Sequence, residues 1–157
     1  MSGGHLDAEM LPTVAAFRVP YIAMHMRGNP KTMQGLTSYQ DLLQEMLFYF
    51  AQVQDRCRQA GIHDVIFDPG FGFAKTLEQN YEILRHLNTF PKLLGPILVG
   101  ISRKSMIYKV IDTDANGALA GTTALHMVAL QQGANVLRVH DVLEAVQTIK
   151  LFKTLYS

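Results

Sequence analysis

Val65-Ile66-Phe67-Asp68-Pro69-Gly70-Phe71-Gly72-Phe73-Ala74-Lys75 runs from three apolar residues straight into an acid, a proline and two glycines. A short apolar run bounded by turn-forming residues reads as a strand buried on both faces. An Asp closing such a strand, ahead of a predicted helix, stands where a parallel sheet builds its ligand site. Two later stretches repeat the pattern: Ile97-Leu98-Val99 leads into Gly100-Ile101-Ser102-Arg103-Lys104-Ser105, and Val136-Leu137 into Arg138-Val139-His140-Asp141. Three polar strand ends, each followed by helix, predict one site on one rim of a sheet.

Working outward, strand and helix patterns alternate. Asp7 to Phe17 reads as a helix, and Val19 to His25, with Pro20 in its lead-in, as the first strand. Ser38 with Asp41 predicts a helix start, with Leu43, Met46, Leu47, Phe50, Val53 and Cys57 on its apolar face and Gly61 as its stop. Thr76 and Gln79 form a capping-box pattern for the next helix, whose inward stripe is Leu77, Tyr81, Leu84 and Leu87. Pro91 and Pro96 bracket a predicted loop, Ile97 to Ile101 is the third strand, and a turn or short helix covers Met106 to Ile111. Beyond the polar loop Asp112 to Gly117, a helix runs to Gln132 and stops at Gly133; Val136 to Val139 is the fourth strand. Asp141 and Glu144 cap a last helix with Val142, Val146, Ile149 and Phe152 turned inward.

The resulting order, αβαβαβαβα, has repeats of roughly 35 to 40 residues, the spacing of β/α units. No G-x-G-x-x-G follows an early strand, since Gly70-Phe71-Gly72 lacks the third glycine, which argues against a doubly wound dinucleotide fold. The expected class is α/β of the (β/α)8 TIM-barrel type, with four β/α units in a single domain over residues 1–157.

Composition narrows the function. A chain of 157 residues suits one domain that buries roughly 68–70% of its unfolded surface. Lys and Arg number 14 against 13 Asp and Glu, a balance that argues against a general nucleic-acid binder and leaves room for a specific small anion. Cys57 is the only cysteine, which excludes an internal disulfide and a thiolate zinc site. With no signal-peptide pattern or membrane-length apolar run, the expectation is a cytoplasmic protein with no membrane partner.

Four motifs carry a resemblance to a known family. Met24-His25-Met26-Arg27-Gly28-Asn29-Pro30-Lys31-Thr32-Met33-Gln34, then Asp68 to Lys75, Leu98 to Met106 and Leu137 to Asp141, resemble in order and spacing the back half of dihydropteroate synthase. The resemblance implies a (β/α)8 barrel that joins 6-hydroxymethyl-7,8-dihydropterin pyrophosphate to p-aminobenzoate in folate synthesis, releases pyrophosphate with Mg2+ bound to it, and is a sulfonamide target. By the same resemblance the chain begins just past the fourth barrel strand, covering the C-terminal four units of an incomplete barrel. A magnesium-associated asparagine, two closing loops, and an aspartate and an asparagine that contact the pterin would then lie outside it. The expectation is that the chain alone is weakly active or inactive.

A pterin presents an amide N–H beside an exocyclic NH2, a donor pair that an ionised carboxylate matches with two oxygens. Asp68 is placed for it, although the residues alone leave open that Asp68 merely starts the turn before Pro69-Gly70. Lys104, with Ser102 and Arg103, forms a donor cluster after what the resemblance makes strand seven, a recurrent anion site in barrels; the other reading is a solvated Arg-Lys pair. By resemblance Lys104 contacts the pterin and Ser102 the p-aminobenzoate side, and Arg103 is left without a role. Arg138 and His140 are two apart, so in extended geometry they share a face and suit pyrophosphate, with Arg138 also reaching the pterin. The alternative is that Arg138 pairs with a neighbouring barrel carboxylate and His140 only ends the strand. Met24 is expected on the pterin face and Phe73 on the p-aminobenzoate side.

Lys104, Arg138 and His140 are the expected catalytic residues, and no metal ligands are assigned. His25, Arg27 and Asn29 receive no catalytic role, and His5, His63, His86 and His126 read as surface or satisfied helix residues. The implied reaction is substitution at the pterin methylene, with the C–O bond to pyrophosphate breaking early and the arylamine trapping the cation. It needs positioning and leaving-group stabilisation and no protein nucleophile. Two alternatives stand beside it: a pterin-dependent methyltransferase-type barrel, which needs no pyrophosphate site, and a non-catalytic pterin-binding module. Open sheet edges and barrel-facing side chains further predict a homo-oligomer.

Overall fold

The computed structural model describes residues 3–28 and 32–156. Helix α1 (Met10–Phe17) leads into β1 (Tyr21–Met24), and α2 (Leu42–Gln59) returns the chain to β2 (Val65–Asp68). Helices α3 (Leu77–Arg85) and α4 (Thr89–Leu93) precede β3 (Leu98–Val99); α5 (Ser105–Tyr108) and α6 (Leu119–Gln131) precede β4 (Val136–Leu137), and α7 (Val142–Tyr156) follows. Strands β1 and β2 pair in parallel with Met24 opposite Asp68, and β3 and β4 pair in parallel with Leu98 opposite Val136. A parallel bridge between Phe67 and Ile97 joins the two pairs. Strand order therefore follows chain order, with helices making each return, as successive β/α units require.

The core forms where the helix stripes meet the strands. Phe50 of α2 is fully buried and packs edge-on against Phe67 of β2 and Phe90 of α4, with ring centroids 5.3 and 6.1 Å apart. Such edge-to-face pairs stabilise by about 0.5–1.5 kcal/mol beyond simple burial. Met46, Val53 and Cys57 complete the predicted α2 stripe. Gly61, at φ +83°, stops the helix in the left-handed conformation that glycine adopts without steric cost.

Four local expectations change. Helix α2 starts at Leu42 and not at Ser38, because Asp41 is the residue whose carboxylate accepts the Gln44 amide at 2.9 Å. The predicted loop around Pro91 contains α4, where Pro91 lies in the first turn and so removes no helical hydrogen bond. Strands β3 and β4 are shorter than expected, two residues each. The inward stripe of α7 is Ala145 and Thr148, whereas Val142 and Val146 are exposed; small residues let α7 lie close on α6. The capping box of Thr76 and Gln79 forms as read. No helix among the described residues is long and apolar enough to cross a membrane.

Candidate active site at the strand ends

Asp68, the last residue of β2, is fully buried, and its two carboxylate oxygens do different things. Oδ1 accepts the Gly70 amide at 2.8 Å, so Asp68 does shape the turn. Oδ2 lies 3.3 Å from Arg138 Nη2 without hydrogen-bond geometry and accepts no hydrogen bond from a described residue. The contacts seen are those of the structural alternatives: Asp68 forms the turn through Oδ1, and Arg138 rests on a neighbouring carboxylate. Burial raises the Asp68 pKa above its usual value, opposed by the Gly70 amide and by Arg138, Lys104 and Lys75. Arg138 reaches across because residue 100 is glycine: a Cβ there would come within 2.7 Å of its Nη2.

Lys104 enters from the turn before α5. Its Nζ donates to the Phe71 carbonyl and sits 5.0 Å from the centre of the Phe73 ring, so the lysine covers the same loop that Asp68 opens. Burial lowers its pKa to about 8, with Asp68 pulling the other way. Ser102 is buried and its Oγ meets His140 twice, accepting the backbone amide at 3.2 Å and lying 3.0 Å from Nδ1. Met24 is buried beside Asp68 in the strand register. Asp68, Met24, Phe73, Ser102, Lys104, Arg138 and His140 therefore belong to one rim, with Arg138 directed to Asp68 and His140 to Ser102.

Arg103 lies outside this cluster. Its guanidinium forks onto the Asp141 carboxylate at 2.8 Å through both Nε and Nη2, and Nη1 donates to the carbonyls of Ala115 and Asn116 at 2.7 Å. It fastens the loop before α6 to the start of α7, while its neighbour Lys104 turns to the site. The fork also holds the Asp141 carboxyl below its usual pKa.

Four residues given no role by the sequence support the loop from Asp68 to Lys75. Lys75 Nζ is 3.0 Å from His25 Nδ1 and donates to the carbonyls of Gly70 and Phe73 at 3.1 and 3.0 Å. Asn80 Oδ1 accepts the Gly72 amide at 2.7 Å, and the Tyr39 hydroxyl donates to the Ala74 carbonyl at 2.9 Å. The available signal was Asn80, a polar residue on the inner side of a helix, which marks a partner worth seeking. His126 departs from expectation: it is buried, and neither ring nitrogen has a hydrogen-bond partner among the described residues, so burial lowers its pKa. Asn29, Pro30 and Lys31 lie outside the described residues. Among the described residues, no three His, Cys, Asp or Glu side chains gather to hold a metal ion.

Parallel β/α units that gather a buried carboxylate, a lysine and an Arg-His pair on one rim define the chain as an α/β protein with a polar strand-end cluster. The chain belongs to the pterin binding enzyme family, whose sequence model matches residues 1–140. It is 43% identical to the dihydropteroate synthase of Synechocystis over 159 aligned positions, covering 99% of this chain and 55% of that protein. It superposes on the Thermus thermophilus dihydropteroate synthase in complex with 6HMPPP with a TM-score of 0.94 at 34% identity, covering 99% of this chain and 62% of that one. The same enzyme in complex with 4-aminobenzoate gives a TM-score of 0.92 at 35% identity, covering 96% and 62%. The chain spans about half the length of the curated relatives it matches.

Proposed function

We propose that this chain carries the pterin and pyrophosphate subsites of a dihydropteroate synthase, its four β/α units corresponding to the C-terminal half of a (β/α)8 barrel. The observation that carries the reading is Asp68 Oδ2, a buried carboxylate oxygen with no hydrogen-bond donor among the described residues, facing a guanidinium that a ligand can draw away. The similar Thermus thermophilus enzyme has been solved in complex with 6HMPPP and with 4-aminobenzoate, which supports the reading.

In this reading the pterin amide and exocyclic NH2 donate to Asp68, with Met24 against the ring and the Lys104 ammonium donating to the ring carbonyl. Arg138 leaves Asp68 for the pyrophosphate and is joined there by His140, which Ser102 orients. Phe73 and Ser102 border the p-aminobenzoate. As the methylene–oxygen bond breaks, Arg138, His140 and Lys104 take up the growing negative charge on the leaving oxygen. The described residues do not by themselves fit a magnesium site, so the ion is read as arriving with the pyrophosphate and no step is assigned to it. A homo-oligomer that covers Val142, Leu143, Leu151 and Leu155 of α7 belongs to the same proposal, since these side chains are exposed.

Calorimetric titration with 6-hydroxymethyl-7,8-dihydropterin pyrophosphate from pH 6 to 10 tests the assignment. Lys104 is charged below its pKa of about 8, so the share of the affinity that it carries should hold steady up to that pH and then fall. The expected slope above it is about tenfold per pH unit, and Lys104→Met should flatten the profile. A pterin without pyrophosphate should bind more weakly. Equal affinity for the two would favour a methyltransferase-type barrel.

A further inference from the structure

The loop that presents Asp68 and Phe73 closes one turn of its own, the Phe73 amide donating to the Gly70 carbonyl at 3.0 Å, and leans on side chains for the rest of its shape. Gly70, Gly72 and Ala74 have φ of +68°, +80° and +52°, and for Ala74 that conformation costs about 1–2 kcal/mol. Side chains take its carbonyls: Phe71 by Lys104 and Ala74 by Tyr39 from outside the loop, and both Gly70 and Phe73 by Lys75 at the loop's own end. Lys75 differs from the other donors because it also meets the end of the neighbouring strand, through His25 Nδ1. In its ammonium form Lys75 has three N–H donors, and three acceptors stand 3.0–3.1 Å away, so below its pKa the group is fully matched. The two segments it joins already touch: a Cβ on Gly70 would come to 2.1 Å from the His25 carbonyl.

We infer that Lys75 is a positioning residue that fastens the Asp68–Phe73 loop to the end of β1, holding Asp68 Oδ2 and the Phe73 ring at the separation the ligand requires. The inference rests on the pterin-site reading for its ligand, while the fastening itself is independent of that reading. Burial of a lysine with no ion-pair partner among the described residues is costly, and lowers its pKa to about 7. Asp68 opposes that lowering, Lys104 and Arg27 add to it, and His25 is itself held well below its ordinary value by burial and by Lys75 and Arg27. A less demanding residue would serve if packing were the only need; the amine is there for its three directed bonds.

Amide hydrogen exchange in Lys75→Met, Lys75→Arg and the unsubstituted chain tests the inference, with pterin pyrophosphate affinity measured alongside. Lys75→Met should exchange Gly70 and Phe73 about tenfold faster or more, the loss expected for bonds from a charged donor, while the amides of Phe50 and Val53 in α2 stay as protected as before. Affinity should fall in parallel, and Lys75→Arg should restore part of both. If Lys75→Met fails to fold, His25→Phe, which removes one acceptor and keeps the ring packing, should produce the same local pattern more weakly. Unchanged exchange at Gly70 and Phe73, or equal acceleration throughout the chain, overturns the inference. If the unsubstituted chain binds no pterin while the local exchange contrast is present, the pterin reading fails and the fastening role stands.

Discussion

Asp68→Asn is expected to weaken binding of the dihydropterin pyrophosphate by about 100-fold or more, with the fold retained. The substitution is nearly isosteric, and the remaining amide oxygen can still accept the Gly70 amide that closes the turn. The second position becomes an NH2 donor set against the pterin's own donors, which loses a charge-assisted bond and leaves a donor unmatched. Each hydrogen bond to a charged group contributes about 1.5–3 kcal/mol, so the pair accounts for the expected factor. Stability should change little, because the Asp68–Arg138 contact that is lost lacks hydrogen-bond geometry and burial already disfavours the charged carboxylate. Calorimetry beside a thermal melt separates the two effects. Affinity within about twofold of the parent would remove Asp68 from the ligand site.

Gly70→Ala should be the most damaging small substitution in the chain. The new methyl would stand 2.1 Å from the His25 carbonyl oxygen, a backbone atom that cannot swing aside, at a φ of +68° that alanine already disfavours. Together these predict a loss of about 3 kcal/mol or more, and with it a fall in Tm of roughly 6–12 °C for a domain of this size. Gly61→Ala supplies the comparison, since Gly61 has φ +83° but open space where its Cβ would go, leaving only the backbone cost of about 1–2 kcal/mol. A Gly70→Ala melt no lower than that of Gly61→Ala would show that the loop can move away from β1, against the close seating described above.

The parts of this molecule legible in its sequence are those where local pattern and tertiary role coincide. The rim position of Asp68, Lys104, Arg138 and His140 could be read because short apolar runs announce buried parallel strands and the polar residues just beyond them must lie at the strand ends. Thr76 and Gln79 could be found because a capping box is a purely local device. The stripe of α7 is hard to read because periodicity marks an apolar face without saying which side a neighbour covers; Ala145 and Thr148 are the buried residues, and Val142 and Val146 are exposed. Lys75 and His25 are silent in the sequence because their meaning is a distance between residues 25, 70, 73 and 75, and no spacing rule encodes it. Arg103 and Lys104 show the same limit at closest range, adjacent cations of which one fastens α7 and the other covers the site.

The crystal structure of this chain with 6-hydroxymethyl-7,8-dihydropterin pyrophosphate bound tests the central claim most directly. The account predicts the ring amide and exocyclic amine on the two oxygens of Asp68, the diphosphate across Arg138 and His140, and Arg138 moved off the Asp68 carboxylate it now faces at 3.3 Å. A ligand seated away from this rim, or a pterin ring that touches no oxygen of Asp68, would contradict it.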